Sequence, residues 1–234
     1  MILGFTTGKP GAIALSEKLS IFRELGCNAL ELGLINADES ERWEAIGSLA
    51  PEDLKDFTYL SLHTPALKFV YNHDQSTKAV LTRIQALYER LHFQYAVIHP
   101  DRVKDWSVFK DFSFPLAIEN MDHNKEAGRT AESLQEIFRQ IDAKMVLDVN
   151  HCFTNDPSMQ VAKELYSAFR ERIVEIHVSG YETSHDPLFS TKQDGIIAAI
   201  PDYELPIIIE SGTHHEQDIR SEYEYIRQRL RNKE

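Results

Sequence analysis

Residues 145–151 read Met-Val-Leu-Asp-Val-Asn-His, "MVLDVNH". An apolar, strand-like run ends in a carboxylate, and an imidazole follows three positions later. A charge at the end of a buried strand is costly unless something compensates it. The same pattern recurs along the chain. "LSLH" ends at His63, "AVIH" at His99, "LAIE" at Glu119, "MVLD" at Asp148, "EIH" at His177 and "IIIE" at Glu210.

These runs belong to eight strand candidates at 2–6, 28–33, 58–63, 95–100, 115–120, 144–149, 172–178 and 205–210. They are rich in Ile, Val, Leu and Tyr, and several are nearly continuous apolar runs, as expected of strands covered on both faces. Helical periodicity fills the intervals. Leu15, Leu19, Phe22 and Leu25 recur at spacings of three and four within 14–26, which ends at Gly26. Residues 76–92 repeat the pattern, with Ser76 or Thr77 as the expected cap. Residues 130–141 start from Thr130, with Glu132 in the first turn, where a carboxylate suits the helix dipole. The spans 157–171 and 215–231 are also helical by period.

Repeated strand–helix alternation predicts a parallel sheet. Eight such units close most economically as a (β/α)8 TIM barrel, which takes roughly 250 residues. The 234 residues therefore read as one domain, 1–234, with short loops. A doubly wound open sheet is the rival, but no Gly-rich fingerprint follows the first strand, as a dinucleotide-binding version requires.

Hydrophobic content of 42% and charged content of 26% are ordinary globular values. The net charge of −12 argues against a broad nucleic-acid-binding face, which needs clustered Lys and Arg. Two cysteines, Cys27 and Cys152, are too few for a disulfide scaffold. The apolar run in the opening stretch MILGFTTGKPGA is too short for a signal peptide, and no stretch is long and apolar enough for a membrane span. A reduced, cytoplasmic protein with no membrane partner is expected.

In a parallel barrel all strand ends open on one face, where active sites of this fold are built. Six carboxylate and imidazole side chains crowded onto one rim would repel and perturb one another without a cation. A bound divalent metal is therefore expected. A donor set of carboxylates and imidazoles without thiolate suits Zn²⁺, Mn²⁺, Fe²⁺ or Co²⁺, and Mg²⁺ less well.

The motifs "LSLHTP", "AVIHP", "LAIEN", "VLDVNH", "EIHVS", "SHDPL" and "IIIE", in that order, resemble the xylose isomerase-like barrel superfamily. It includes sugar and sugar-phosphate isomerases and epimerases as well as zinc-dependent apurinic-site endonucleases. The resemblance implies that Glu119, Asp148, His177 and Glu210 ligate one divalent metal, with Glu119 and Glu210 as the acid/base pair. It further implies that His63, His99, His151 and His185 sit where the endonucleases add ligands for up to three zinc ions. One ligand departs: the endonucleases' "Asp-x-His" reads Thr183-Ser184-His185 here, so a carboxylate is missing from the third zinc site.

The favoured expectation is an isomerase or epimerase of a sugar, sugar phosphate or related hydroxy-ketone, working through a metal-stabilised enediolate. The alternatives are a zinc-dependent phosphodiesterase or apurinic-site endonuclease, and a non-catalytic metal-binding barrel. The acidic segment "LINADESERWEAIG" after strand two, expected as a loop, favours a small carbohydrate-like substrate over DNA. Glu31 is expected near the substrate or in a salt bridge, Glu175 as a residue orienting a ligand. Trp43, Trp106 and Tyr181 are expected in loops near the mouth.

Overall fold

A computed structural model describes residues 1–9 and 13–231; the last three residues of the opening stretch MILGFTTGKPGA lie outside it. Strands β1 (Leu3–Thr6), β2 (Ala29–Gly33), β3 (Tyr59–His63), β4 (Tyr95–Ile98), β5 (Leu116–Glu119), β6 (Lys144–Asp148), β7 (Ile173–Val178) and β8 (Ile207–Ile209) pair in parallel, each with the next. Pairing of β1 with β8, through Leu3↔Ile207, Gly4↔Ile208 and Phe5↔Ile209, closes the barrel. The chain is a single-domain (β/α)8 barrel, and every expected strand is present within about two residues of its predicted ends.

The outer layer comprises α1 (Leu15–Leu25), α2 (Ser40–Gly47), α3 (Gln75–Leu91), α4 (Ala131–Phe138), α5 (Val149–Asn155), α6 (Gln160–Phe169), α7 (Leu188–Thr191), α8 (Asp194–Ala198) and α9 (Glu216–Arg231). Gly26 ends α1 in the left-handed region at φ 77°, and the Thr130 side chain caps α4 through the Ser133 amide, both as expected. The cap of α3 is neither Ser76 nor Thr77 but Asp74, whose carboxylate accepts from the Thr77 amide at 2.7 Å. The acidic segment after β2 is not all loop: residues 40–47 form α2 and bury Trp43 and Ile46 against the barrel. Trp43 gives its Nε1–H to the Ala37 carbonyl and carries the Arg83 guanidinium on its face, 4.0 Å from the ring centroid. Trp106 is buried as well. Neither tryptophan is free to stack on a ligand, because both complete the hydrophobic layer.

Inside the barrel, side chains stack in layers. The lowest holds Ala29, Tyr59 and Ile208; a second cluster is Val97, Ala117 and Val146, with Val174 against it. Val174 precedes an inward-facing Glu175, so two adjacent β7 residues face the same way. A register shift between Met145 and Val146 accounts for it: Met145 pairs with Ile173, but Val146 pairs with Glu175. Because a one-residue slip exchanges the two faces of a strand, this bulge puts Glu175 and His177 in phase with Val146 and Asp148.

Closure also demands glycine at one contact. A Cβ on Gly4 would stand 1.7 Å from the Ala29 carbonyl oxygen of β2. Gly4→Ala is therefore expected to cost about 3 kcal/mol or more, lowering the melting temperature by roughly 6–12 °C. At Gly47, in α2, an added Cβ meets nothing within 4 Å, and Gly47→Ala is expected to be neutral or stabilising by up to ~1 kcal/mol. Thermal unfolding of the two variants checks the pair.

Candidate metal centre

The top interior layer of the barrel is polar. His63, Glu119 and Asp148 are the last residues of β3, β5 and β6; His99 and Glu210 lie one residue beyond β4 and β8; His177 is the penultimate residue of β7. All are buried except His99, which is 18% exposed.

Glu119 stands at the centre of this layer. Its Oε2 lies 3.4 Å from Nε2 of His63 and 3.1 Å from Nε2 of His99. Its Oε1 lies 3.2 Å from Nδ1 of His151 and 3.7 Å from Nδ1 of His177. The layer thus resolves into two groups that share Glu119: His63, His99 and Glu119, and Glu119, Asp148, His177 and Glu210. Within each group one ligand atom per residue lies within 4.8 Å of the others. The geometry brings together all four residues of the expected single-metal set, and adds the expected His63 and His99 as a second set.

Local structure aims these donors. The His63 Nδ1–H donates to the Thr64 carbonyl at 2.9 Å, so Nε2, which faces Glu119, is the nitrogen that deprotonation would free for a metal. Asp148 is compensated in part without a cation: it is the N-cap of α5, where its Oδ1 accepts from the His151 amide at 2.9 Å. Its Oδ2 is buried without a hydrogen-bond partner, as are both oxygens of Glu119, Oε1 of Glu210 and Nδ1 of His177. Orphaned buried acceptors are costly, and so many around one point is the signature of a cation site. The residues fit a divalent metal.

His151 lies in the first turn of α5 and faces the carboxylates of Glu119 and Asp148. Its Nδ1–H donates to the Asn120 carbonyl at 2.7 Å. Asn120 is a site residue that the sequence pattern does not single out, although "LAIEN" places it beside Glu119. Its side chain receives the Asp148 amide at 2.8 Å and donates to the Asp148 carbonyl at 2.9 Å, locking β5 to β6 at the ligand level. His185 takes its place through Ser179, Oγ to Nδ1 3.0 Å, with its ring 5.4 Å from that of His151. Neither His151 nor His185 joins a third ligand group among the described residues. Asp186, adjacent to His185, does not replace the carboxylate missing at Thr183, because it is spent on the loop amides of Glu182, Thr183 and Ser184.

Below the ligands lies a second polar layer. Nε2 of His177 is 2.8 Å from Oε1 of Glu175, and Glu175 is held by the Tyr59 hydroxyl at 2.7 Å and the Ser61 hydroxyl at 3.1 Å. Glu175 thus fixes the ring of His177, the position from which it would orient a ligand. Tyr59 and Ser61 alternate with His63 along β3, a period-two signal that could have disclosed them. Glu31 lies 3.4 Å from Nε2 of His177 and forms a third group with Glu175 and His177, one ligand atom from each within 4.8 Å of the others; it is fully buried, so it stands beneath the upper layer and not beside a substrate.

The charges are strongly perturbed. Burial would lower the His63 pKa, but Glu31, Glu119 and Glu210 raise it to about 9. Burial raises Asp148, with Glu119 and Glu210 adding to the rise and His151 opposing it, to about 7. Burial would raise Glu119 too, yet His99, His177 and His63 hold it well below the usual carboxylate range. His185 is pushed down to about 3 by burial, with the Lys9 charge adding to the effect.

Above the ligands a cavity of about 100 Å³ is lined by His63, His99, Glu119, His151, His185 and Glu210, and also by Lys9, Arg102 and Lys125. Composition alone gives no hint of these cations. Tyr181 lies outside that lining, its backbone tied to Gln193. Cys152 and Cys27 are buried free thiols. No described helix is long and apolar enough to cross a membrane.

No protein-family model and no curated protein matches the chain. Solved structures do match its fold. Endonuclease IV from Thermus thermophilus aligns with a TM-score of 0.70 at 17% identity, over 99% of this chain and 100% of that one. The 3-keto-D-glucoside 4-epimerase of E. coli gives 0.63 at 12%, over 97% and 99%. A xylose isomerase domain containing protein from Salmonella typhimurium gives 0.65 at 13%, over 98% and 97%. The (β/α)8 fold is thus shared with an endonuclease, an epimerase and a xylose isomerase domain protein.

Two outcomes follow from this geometry. Glu175→Gln keeps the shape but removes the charge behind His177, and should weaken Zn²⁺ binding about tenfold in a chelator competition; unchanged affinity would count against its orienting role. His63, with a pKa of about 9, is protonated at neutral pH in the metal-free protein, whereas a ligand must be neutral. Metal loading should release protons, and affinity should rise with pH until about 9. Calorimetry in buffers of different ionisation enthalpy measures the release, and proton uptake would contradict it.

Proposed function

We propose that the chain is a metal-dependent hydrolase acting on a small phosphoester. The observation that carries this reading is Glu119, whose two oxygens face two separate ligand groups. A carboxylate that faces a cation with each oxygen is a weak base, because both charges draw on its electron density, so Glu119 suits a bridging role better than the acid/base role its family resemblance implies. Paired metal sites of this kind suit in-line displacement at phosphorus.

His63, His99 and Glu119 would hold one ion, and Glu119, Asp148, His177 and Glu210 the other; the donors favour Zn²⁺, Mn²⁺, Fe²⁺ or Co²⁺ over Mg²⁺. When bound, the pair supplies Lewis acidity that neutralises phosphoryl charge and makes a water acidic enough to attack at neutral pH. The protein residues do the rest. His185 lines the cavity and, held neutral by burial, can hydrogen-bond the attacking water and orient it. Glu175 and Asn120 keep His177, Asp148 and His151 in register. The low exposure of the ligand layer excludes competing water.

One neighbour in fold is an endonuclease, which supports a hydrolytic reading. The net charge of −12, and Asp38, Glu39, Glu41 and Glu44 beside the mouth-side end of β2, favour a small substrate over nucleic acid. The isomerase reading keeps one observation of its own: Oε1 of Glu210 is buried and unpartnered, as a proton-transfer carboxylate would be, and one neighbour is an epimerase.

The two readings part at His63, which only the bridged centre requires. Zn²⁺- or Mn²⁺-loaded protein should hydrolyse p-nitrophenyl phosphate or its bis-ester, with His63→Ala reducing turnover about 10²-fold or more, and leave abasic duplex DNA uncut. If instead the protein exchanges solvent deuterium into dihydroxyacetone, if that exchange survives His63→Ala, and if no phosphoester is turned over, the isomerase reading replaces this one.

A further inference from the structure

The described residues carry a concentration of positive charge where a strongly acidic protein has least reason to place it. Lys9 follows β1, Arg102 closes the short 3-10 turn Pro100–Arg102 after β4, and Lys125 lies in the segment after β5. All three line the cavity above the ligand layer. They come from three separate loops of a chain whose net charge is −12, so their convergence is not a consequence of composition.

Two of the cations are held by one flank only. Arg102 has its Nε 3.1 Å from Oδ2 of Asp101, and Lys125 has its Nζ 3.8 Å from Oδ2 of Asp122. Their side chains are 27% and 25% exposed, against 0–3% for Glu119, Asp148, His177 and Glu210. The cations therefore stand on the solvent side of the ligand layer, outside the depth at which two divalent ions would already neutralise a phosphoryl group. Lys9 is near enough to His185 for its charge to act on that ring. Arg offers a planar fork of donors and Lys a compact charge, the pair of side chains suited to phosphate or carboxylate.

We infer that the substrate bears a second anionic group, a phosphate or a carboxylate, placed beyond the reacting phosphoryl and held by Arg102 and Lys125, with Lys9 opposite. This rests on the phosphoester reading for the first anion only. It names the substrate class as a small doubly anionic molecule, and it gives the mouth of an acidic protein an electrostatic means of drawing that molecule in.

The test is binding to the Zn²⁺-loaded protein of three probes of matched length: ethylphosphonate, 2-carboxyethylphosphonate and ethylene-1,2-diphosphonate. The two-anion probes should bind about tenfold or more tightly than ethylphosphonate, and whichever of them wins tells carboxylate from phosphate. In the double variant Arg102→Met, Lys125→Met that advantage should vanish, while metal content, melting temperature and ethylphosphonate affinity stay as they were; Lys125→Arg should keep it. Equal affinity of all three probes for the unaltered protein, or an advantage that survives the double variant, would overturn the inference. Two-anion probes held through the cations while ethylphosphonate fails to bind would instead sink the phosphoester reading and leave the cation clamp standing.

Discussion

Three carboxylates, Glu119, Asp148 and Glu210, share one end of the barrel with five imidazoles that face them, those of His63, His99, His151, His177 and His185, and the rest of the molecule is arranged around that constraint. Burying even one unpaired carboxylate is strongly unfavourable. Here the side chains cannot retreat, because each sits at or one residue past the end of a strand fixed by its neighbours' register. The charge must be balanced in place. In the metal-free protein the carboxylates raise the pKa values of His63, His151 and His177 despite their burial. A divalent cation balances the same charge with fixed geometry, and turns a liability of folding into a site.

The layers beneath show how far the fold goes to support that end. A barrel interior is ordinarily filled with branched apolar residues. Here Tyr59, Ser61, Glu175 and Glu31 interrupt the apolar filling below the ligands. The bulge in β7 brings Glu175 and His177 onto the inner face together. Asn120 then ties β5 to β6 by two hydrogen bonds and fixes His151 by a third. Rotamers locked in this way hold ligands within the tolerances that metal chemistry demands.

Much of this is legible in the sequence, for an identifiable reason. Strands covered on both faces leave continuous apolar runs, and a run that stops at Asp, Glu or His marks both the strand end and the site; all six such residues sit where the runs end. What stays hidden depends on tertiary partners. Helix α2 is masked by its acidic composition, although Trp43 and Ile46 are spaced as a buried face requires. The cap of α3 goes to Asp74 because its carboxylate outcompetes the nearby hydroxyls for the Thr77 amide. Arg102 and Lys125 look like ordinary surface charge, since nothing local says that loops after β4 and β5 fold over the same cavity.

The same barrel fold carries an endonuclease and an epimerase at 12–17% identity, so chemistry in this fold is set by the site and not by the barrel. What separates the two readings of this site is the use made of a single carboxylate. In a one-metal site Glu119 keeps an oxygen free to move a proton. On the bridged reading, with His63 and His99 set against one oxygen and His177 against the other, Glu119 would serve as a strut between two cations. The difference lies in two imidazoles from β3 and the end of β4, not in the ligand set of the last four strands. On the proposed reading the reaction class would follow from what the early strands present to a carboxylate that the later strands hold still, which makes the pair His63 and His99 more informative than the fold around it.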